Sequence, residues 1–209
     1  MMDDKEKPEK NFSDELQEWL DSDQEKTISG LEEVFGEKSF AIAFILLMTI
    51  SALPLPTGGV THVFQVVTML LALELIAQRR SIWLPKRWQK LKIPQKMQTK
   101  TLPSIIKMIR KVEKISRPRM AGFLETRISR TLFGVAVLGL AIAAFIAPPF
   151  SFLDTLPSIG ILAISLGIIV GDIVIGIAGA IIGAVGVFLT VAFGTLIAHF
   201  MKDLIEKIF

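Results

Sequence analysis

The chain has 209 residues, of which 51% are hydrophobic, and its formal net charge at pH 7 is +3. It contains no cysteine, which excludes disulfides, thiolate chemistry and cysteine-based metal sites. Charged side chains are almost absent from 39–78 and 131–200, where only Glu74, Asp154 and Asp172 occur. Because a soluble core does not need such long uncharged blocks, the sequence predicts an all-α integral membrane protein with one membrane domain.

The first 38 residues are strongly acidic, with 13 acidic and 5 basic side chains. They contain no apolar h-region, so we expect no cleaved signal peptide and insertion through internal segments. The stretch NFSDELQEWLDS (11–22) predicts a short acidic helix, followed by polar sequence typical of disorder. We therefore assign 1–28 to an acidic, partly disordered segment and 29–209 to the membrane domain.

The first apolar block predicts two helices, about 40–53 and 60–78, separated by PLPTGG. Pro54 and Pro56 oppose a continuous helix. In hydrocarbon, a broken helix leaves backbone groups unpaired at several kcal/mol each, unless protein or water covers them. The first helix spans roughly 21 Å, against about 30 Å of hydrocarbon. The pattern therefore favours a re-entrant hairpin over a kinked, continuous helix.

The linker 79–130 is strongly basic, with 16 Lys and Arg against Glu113 and Glu125. This excess predicts a cytoplasmic location, and topology alone could explain it. Its position beside membrane helices favours lipid headgroups over nucleic acid. TLPSIIKMIRKVEKI (101–115) predicts an amphipathic helix lying on the headgroups. The residues expected to contact headgroups are Arg79, Arg80, Trp83, Arg87, Trp88 and Arg119.

A shift of 93 residues superposes the second apolar block on the first without a gap. The shift matches Leu31 with Leu124, Glu32 with Glu125, Phe40 with Phe133 and Pro56 with Pro149. We interpret the blocks as an internal repeat, about 30–78 and 123–171, with the linker 79–122 between them. The second block predicts helices at about 131–147 and 155–171 around Pro148 and Pro149. Parallel and inverted repeats both remain open, and inverted repeats with broken helices recur in transporters.

The final apolar helix, 173–200, has no counterpart in the first half. Its glycines at 176, 179, 183 and 186 fall on one face, and Gly179-x-x-x-Gly183 lets helix backbones approach closely. This pattern favours packing within the chain, with a homodimer through the Gly179/Gly183 face as the alternative. Asp172 precedes this helix, and we expect it to cap Ile173 rather than to titrate.

Several motifs together resemble the ExoD family of bacterial exopolysaccharide-synthesis membrane proteins. The opening Gly-x-Arg-Ser-Phe is matched by Gly36, Ser39 and Phe40, with Lys38 in place of arginine. The family has basic residues followed by Pro-Trp-Leu-Pro after the second helix, and this chain matches that pattern except that Ile82 replaces the first proline. Glu74 stands where glutamine is usual in the family. The other matching positions are Pro54, Pro56, Gly58, Arg79, Arg80, Trp83, Leu84, Pro85, Pro118 and Arg119. The resemblance covers about 29–200 and implies exopolysaccharide production at the bacterial inner membrane.

Polar residues beside the two breaks are the candidate substrate-binding groups. Asp154 also resembles a helix N-cap. Glu74 is a candidate because charge within a membrane helix is costly, although an end-of-helix pairing with Gln78 or Arg79 explains it equally well. The candidates are Thr57, Gly58, Thr61, His62, Glu74, Ser151, Asp154 and Thr155.

Enzyme motifs are missing: the sequence has no Gly-rich phosphate loop, no Gly-x-Ser-x-Gly and no His-Glu-x-x-His. We expect no catalysis, no cofactor and no metal. Three functions remain: binding or moving a lipid-linked or anionic solute where the broken helices meet; a scaffold of a polysaccharide synthesis complex; and an ion- or proton-coupled transporter in which Glu74 or Asp172 titrates.

Overall fold

The computed structural model describes residues 11–36, 38–53, 60–79, 82–83, 92–93, 95, 97–117, 126–148 and 151–208, with the backbone alone for 28, 60, 97 and 197–208. These residues form eight α-helices and no strand beyond a single bridge between Thr27 and Lys92. A π-helical turn, Met97–Thr101, leads into the fifth helix. The helices are α1 (Phe12–Asp21), α2 (Ile28–Phe35), α3 (Lys38–Ser51), α4 (Val60–Ile76), α5 (Leu102–Glu113), α6 (Arg127–Ile146), α7 (Thr155–Val170) and α8 (Ile173–Ile208).

Four helices, α3, α4, α6 and α7, form a bundle in which α3 packs on α7 and α4 packs on α6. Helix α4 is antiparallel to α6. The ring of His62, at the start of α4, lies 5.4 Å from that of Phe145, near the end of α6. Beyond the other end of α4, Gln78 Nε2 donates to the Arg127 carbonyl (3.0 Å) and to Thr131 Oγ1 (2.7 Å). The described residues beside the two breaks, 52–53 after α3 and 147–148 and 151–154 between α6 and α7, therefore lie at one end of the bundle, the break end; we call the opposite end the linker end.

Large apolar side chains fill most of the bundle interior, and the largest of them lie between the linker end and the middle. Phe44 of α3 and Phe133 of α6 meet edge to face, with ring centroids 5.6 Å apart. Their burial provides the main driving force for bundle packing, since apolar area removed from water stabilises by about 25 cal/mol per Å². The most deeply buried members of this cluster are Phe40, Phe44, Met48, Ala72, Leu75, Val137, Ala141 and Ile161.

Helix α8 lies antiparallel along α7 through glycine contacts. A Cβ added at Gly160 would lie 2.7 Å from the Gly183 Cα, and one added at Gly179 would lie 2.6 Å from the Ile164 nitrogen. Only glycine permits this backbone approach. Gly183 also faces Leu140 of α6. The Gly179/Gly183 face is thus occupied within the chain, as the first of the two sequence alternatives expected.

Two helices are long and apolar enough to cross a membrane by length and composition: α6, and α8 over Ile173–Leu196. Much apolar surface is exposed on the outside of the bundle and along α8. Contiguous exposed apolar surface is unusual for a soluble monomer and fits membrane association. The exposed side chains include Val63, Val66, Leu70, Leu73, Leu132, Val135, Ile181, Val185, Phe188, Phe193 and Leu196.

The apolar face of α5 corrects one sequence expectation. This helix was expected to lie on lipid headgroups, but Leu102, Ile105, Ile106 and Ile109 are buried within the protein. They pack in one cluster with residues of α1, α2, α3 and α7. The amphipathic pattern was recognised correctly; the apolar partner is α1, which presents Phe12, Leu16 and Trp19.

Helix α1 is joined to α5 by polar contacts as well. The Ser13 backbone N–H and hydroxyl both donate to the Glu113 carboxylate. Arg110 and Asp14 form an ion pair at 3.0 Å, which is half-exposed and contributes little. The sequence places a boundary after residue 28, whereas the structure packs the chain from Phe12 onward against the helices that follow.

Candidate functional site

The inner face of α4 changes from polar at the break end to apolar at the linker end. The helix carries polar and then apolar residues at alternating intervals of four and three positions, which places all of them on one helical face: Thr61, Gln65, Thr68, Ala72 and Leu75. All five are buried. Polar side chains therefore occupy the first half of this face, where the helix leaves the break.

Gln65 is the most unusual residue of this face. It is 0% exposed, and neither its amide nitrogen nor its amide oxygen has a hydrogen-bond partner. The Thr68 hydroxyl and the hydroxyl of Ser51, the last residue of α3, are also buried and unpaired. Each such group costs about 1–3 kcal/mol, so native proteins keep few of them. Others, on Trp19, Ser39 and Gln78, are dispersed over the linker end.

The second hairpin brings its own polar groups to the break end. The Thr155 hydroxyl, at the start of α7, is buried without a partner. Ser158 Oγ donates to the Asp154 carbonyl at 2.7 Å. Asp154 itself has αR backbone angles and makes no side-chain capping bond, so the expected N-cap role is not observed. Its carboxyl interacts electrostatically with His62 of the first hairpin.

Several candidates predicted from the sequence thus lie at the break end: Thr61, His62, Asp154 and Thr155 are buried or half-buried there. The Nδ1 atom of His62 is buried and has no partner. Ser151 is also near, but its hydroxyl donates to the Pro148 carbonyl at 2.6 Å, which holds the turn after α6. Thr57, Gly58, Pro54, Pro56 and Pro149 lie outside the described residues.

Glu74 does not join this group. It lies near the linker end of α4, where its carboxylate accepts a hydrogen bond from the Trp83 N–H at 2.8 Å. The end-of-helix interpretation therefore fits better, with Trp83 as the observed partner. Trp83 and Arg79, both expected at headgroups, are exposed at this end, whereas Arg80, Arg87, Trp88 and Arg119 lie outside the described residues.

Asp172 is the cap that the sequence predicts. It is 4% exposed; Oδ1 accepts from the Val174 N–H and Oδ2 from the Arg117 N–H, both at 3.0 Å. The carboxylate therefore starts α8 and also ties the end of the α5 segment to it. Gly171, with φ +70°, reverses the chain between α7 and α8.

Because both oxygens of Asp172 accept backbone hydrogen bonds, Asp172→Ala should lower the free energy of unfolding by about 1–3 kcal/mol. Asp172→Asn keeps one acceptor oxygen and should recover part of that loss. Thermal unfolding of the purified variants measures both effects. A titrating role would instead make the two variants equally inactive in solute movement while leaving stability unchanged.

Comparison with known proteins adds a family assignment to this geometry. The family model described as "Exopolysaccharide synthesis, ExoD" matches residues 12–192. The chain belongs to the ExoD family. An uncharacterized protein of Synechocystis sp. (strain ATCC 27184 / PCC 6803 / Kazusa) is 30% identical over 188 residues, covering 88% of this chain and 84% of that protein. Protein ExoD of Rhizobium meliloti (strain 1021) is 29% identical over 167 residues, covering 78% and 69%. No solved structure matches the chain.

The ExoD match begins at Phe12, the first residue of α1, rather than near residue 29 as the resemblance suggested. This start agrees with the packing of α1 on α5. The family implicates the chain in exopolysaccharide synthesis. Among the described residues, no three His, Asp or Glu side chains come together as a metal site requires.

Gln65, Thr68 and Ser51 are the polar residues of the break end that sequence reasoning missed. The signal was present, since Thr61, Gln65 and Thr68 recur at helical spacing within a charge-free run. A polar stripe inside an apolar helix indicates a face turned toward protein or ligand rather than lipid.

Proposed function

We propose that this ExoD-family protein is a multi-pass, non-enzymatic protein of the bacterial inner membrane that binds or moves a lipid-linked solute of exopolysaccharide synthesis or export. The proposed binding site is the break end, between the two hairpins. One observation carries the proposal: buried polar groups without partners are found in the part of the bundle next to the breaks, on Ser51 at the end of α3, on His62, Gln65 and Thr68 in the first half of α4, and on Thr155 at the start of α7. An interior that serves only for packing would bury apolar side chains there.

The proposed internal repeat is consistent with a site shared by the two halves. The 93-residue shift places Thr61 on Asp154, His62 on Thr155 and Gln65 on Ser158, so polar positions of α4 fall on polar positions of α7. The same shift carries α3 onto α6 and α4 onto α7. Exchanging the two halves therefore turns the packed pair α3–α7 into the other packed pair, α6–α4. This exchange is what a pseudo-two-fold arrangement requires.

The length of α8 supports re-entrant hairpins. Gly186 of α8 contacts Pro157, next to the break end of α7. From Ile173 to Gly186 the helix rises about 20 Å, and its apolar run continues for roughly 20 Å beyond that point. If α8 crosses the membrane, which takes about 20 residues, the hairpins end partway across it. The basic linker end then faces the cytoplasm.

Single cysteines test the proposal directly, because the chain has none of its own. In the full chain, Thr57→Cys, Ser151→Cys and Thr155→Cys place a thiol at each break, and Val135→Cys is the control on an exposed apolar position of α6. We expect a membrane-impermeant maleimide to label the three break thiols from one side of the membrane and to spare the control. Unreactive thiols at both breaks would favour dry kinks and the scaffold alternative.

The ion-coupled alternative loses its first candidates. Glu74 and Asp172 lie at the linker end, and their carboxylates already accept backbone hydrogen bonds. Ion coupling would then need other groups, and the break end brings His62 and Asp154 within electrostatic range of each other. Maleimide protection by a proton gradient, without protection by any amphiphile, would favour this alternative.

A further inference from the structure

We infer that the break-end site recognises a neutral, hydroxyl-bearing group, and that the Gln65 amide is the residue that recognises it. This inference rests on the proposed function and specifies the chemistry of its ligand. It depends on two properties of the site: its lack of fixed positive charge, and the hydrogen-bonding capacity of its buried groups.

The charge distribution disfavours an anionic head group. Neither 39–78 nor 131–200 contains a single Lys or Arg, so no guanidinium or ammonium group is available from either hairpin. The histidines of these two ranges are His62, which lies beside the acidic Asp154, and His199, which lies 13 residues beyond Gly186 in α8. Moving an anion into such an interior without a cation is strongly unfavourable. Among the side chains that the structure describes, the basic ones lie at the linker end, as Arg110, Arg117 and Arg127 do; Lys202 and Lys207 belong to the last turns of α8, more than about 20 Å along the helix from Gly186.

The unpaired groups complement a hydroxyl. The Gln65 amide offers two N–H donors and a carbonyl acceptor, and the hydroxyls of Ser51, Thr68 and Thr155 each donate and accept. A sugar hydroxyl likewise donates and accepts, so it can donate to the amide oxygen or accept from the amide N–H. Because buried polar groups left unpaired are costly, such a site discriminates strongly against ligands that lack the hydroxyl.

The recognition step can be tested with two probes that share one alkyl chain: dodecyl β-D-glucoside, which is neutral, and dodecyl phosphate, which is anionic. The full-length Ser151→Cys protein is placed in phosphatidylcholine nanodiscs, and the rate of maleimide labelling is measured against probe concentration. We expect the glucoside to slow labelling in a saturable way. The phosphate should have no effect beyond that of the alkyl chain that the two probes share.

Gln65→Met in the same background removes the amide while keeping the side-chain length. We expect the half-protecting glucoside concentration to rise about tenfold, the loss that corresponds to one hydrogen bond. The thermal midpoint should stay the same or rise, because an unpaired buried amide is lost. The matched control is Ser165→Ala: Ser165 is buried on α7, but its hydroxyl already donates to the Ile161 carbonyl, so protection should not change.

The outcomes separate the inference from the proposed function. Equal or stronger protection by dodecyl phosphate overturns the inference and leaves a solute site in place. Unchanged glucoside protection in Gln65→Met overturns the role of the amide. A Ser151→Cys thiol that never reacts removes the accessible site itself, and the proposed function fails with it.

Discussion

Gly160→Val should destabilise the protein by about 3 kcal/mol, near the upper end of overpacking effects. A Cβ at this position would lie 2.7 Å from the Gly183 Cα and 2.9 Å from the Gly179 carbonyl oxygen, and neither backbone atom can move without separating α7 from α8. Thermal unfolding of the purified protein measures the loss, and cross-linking between cysteines placed on α7 and α8 reports their separation.

Two glycines provide the controls, because a Cβ added at either would have no neighbour within 4 Å: Gly139 on α6 and Gly194 on α8. Gly139→Val changes helix propensity as Gly160→Val does, but meets open space. Within α8, Gly194→Ala should stabilise slightly, by up to about 1 kcal/mol, whereas Gly179→Ala should destabilise. Equal effects at Gly160 and Gly139 would mean that α7 and α8 are not in close contact.

Leu16→Ala should cost about 2–5 kcal/mol, because a fully buried leucine is replaced and the cavity lies between α1 and α5. The effect should be local at first: α1 loosens and uncovers Ile105, Ile106 and Ile109. Hydrogen exchange along α5 measures this loosening, and thermal unfolding gives the size of the loss.

Glu15→Ala, on the exposed side of the same helix, controls for changes in helix propensity and should leave α5 protection unchanged. If α1 and α5 instead lay separately on lipid, Leu16→Ala would weaken membrane attachment of α1 without any change in exchange along α5. That result would contradict the packed layer.

The main helices could be predicted closely from the sequence. The expected helices 60–78 and 155–171 begin where α4 and α7 begin, and that at 131–147 ends within one residue of α6. Long apolar runs bounded by proline, glycine or aspartate leave little choice of boundary. The cap at Asp172 followed from the same reasoning, since an acidic residue between two apolar helices has few other roles.

The elements against which the helices pack were harder to predict from the sequence. The sequence of α5 shows an apolar stripe but does not show what covers it, because lipid and protein can both bury such a stripe. Its actual cover, α1, lies about 90 residues earlier in the chain. Asp154 looked like a cap because it precedes a helix, yet its backbone angles are already helical. The importance of Gln65 depends on missing partners, which only three-dimensional packing reveals.

The contact between Ser13 and Glu113 joins residues 100 positions apart. Synthesis adds about 5–20 residues per second, so α1 leaves the ribosome roughly 5–20 seconds before α5 exists. The whole first hairpin is made during that delay, while Phe12, Leu16 and Trp19 have no α5 to cover them. We expect the acidic residues around them, Asp14, Glu15, Glu18 and Asp21, to keep the waiting helix soluble, because an anionic membrane surface repels carboxylates. The charge on α1 would then serve the unfinished chain as well as the folded one, in which Asp14 pairs with Arg110.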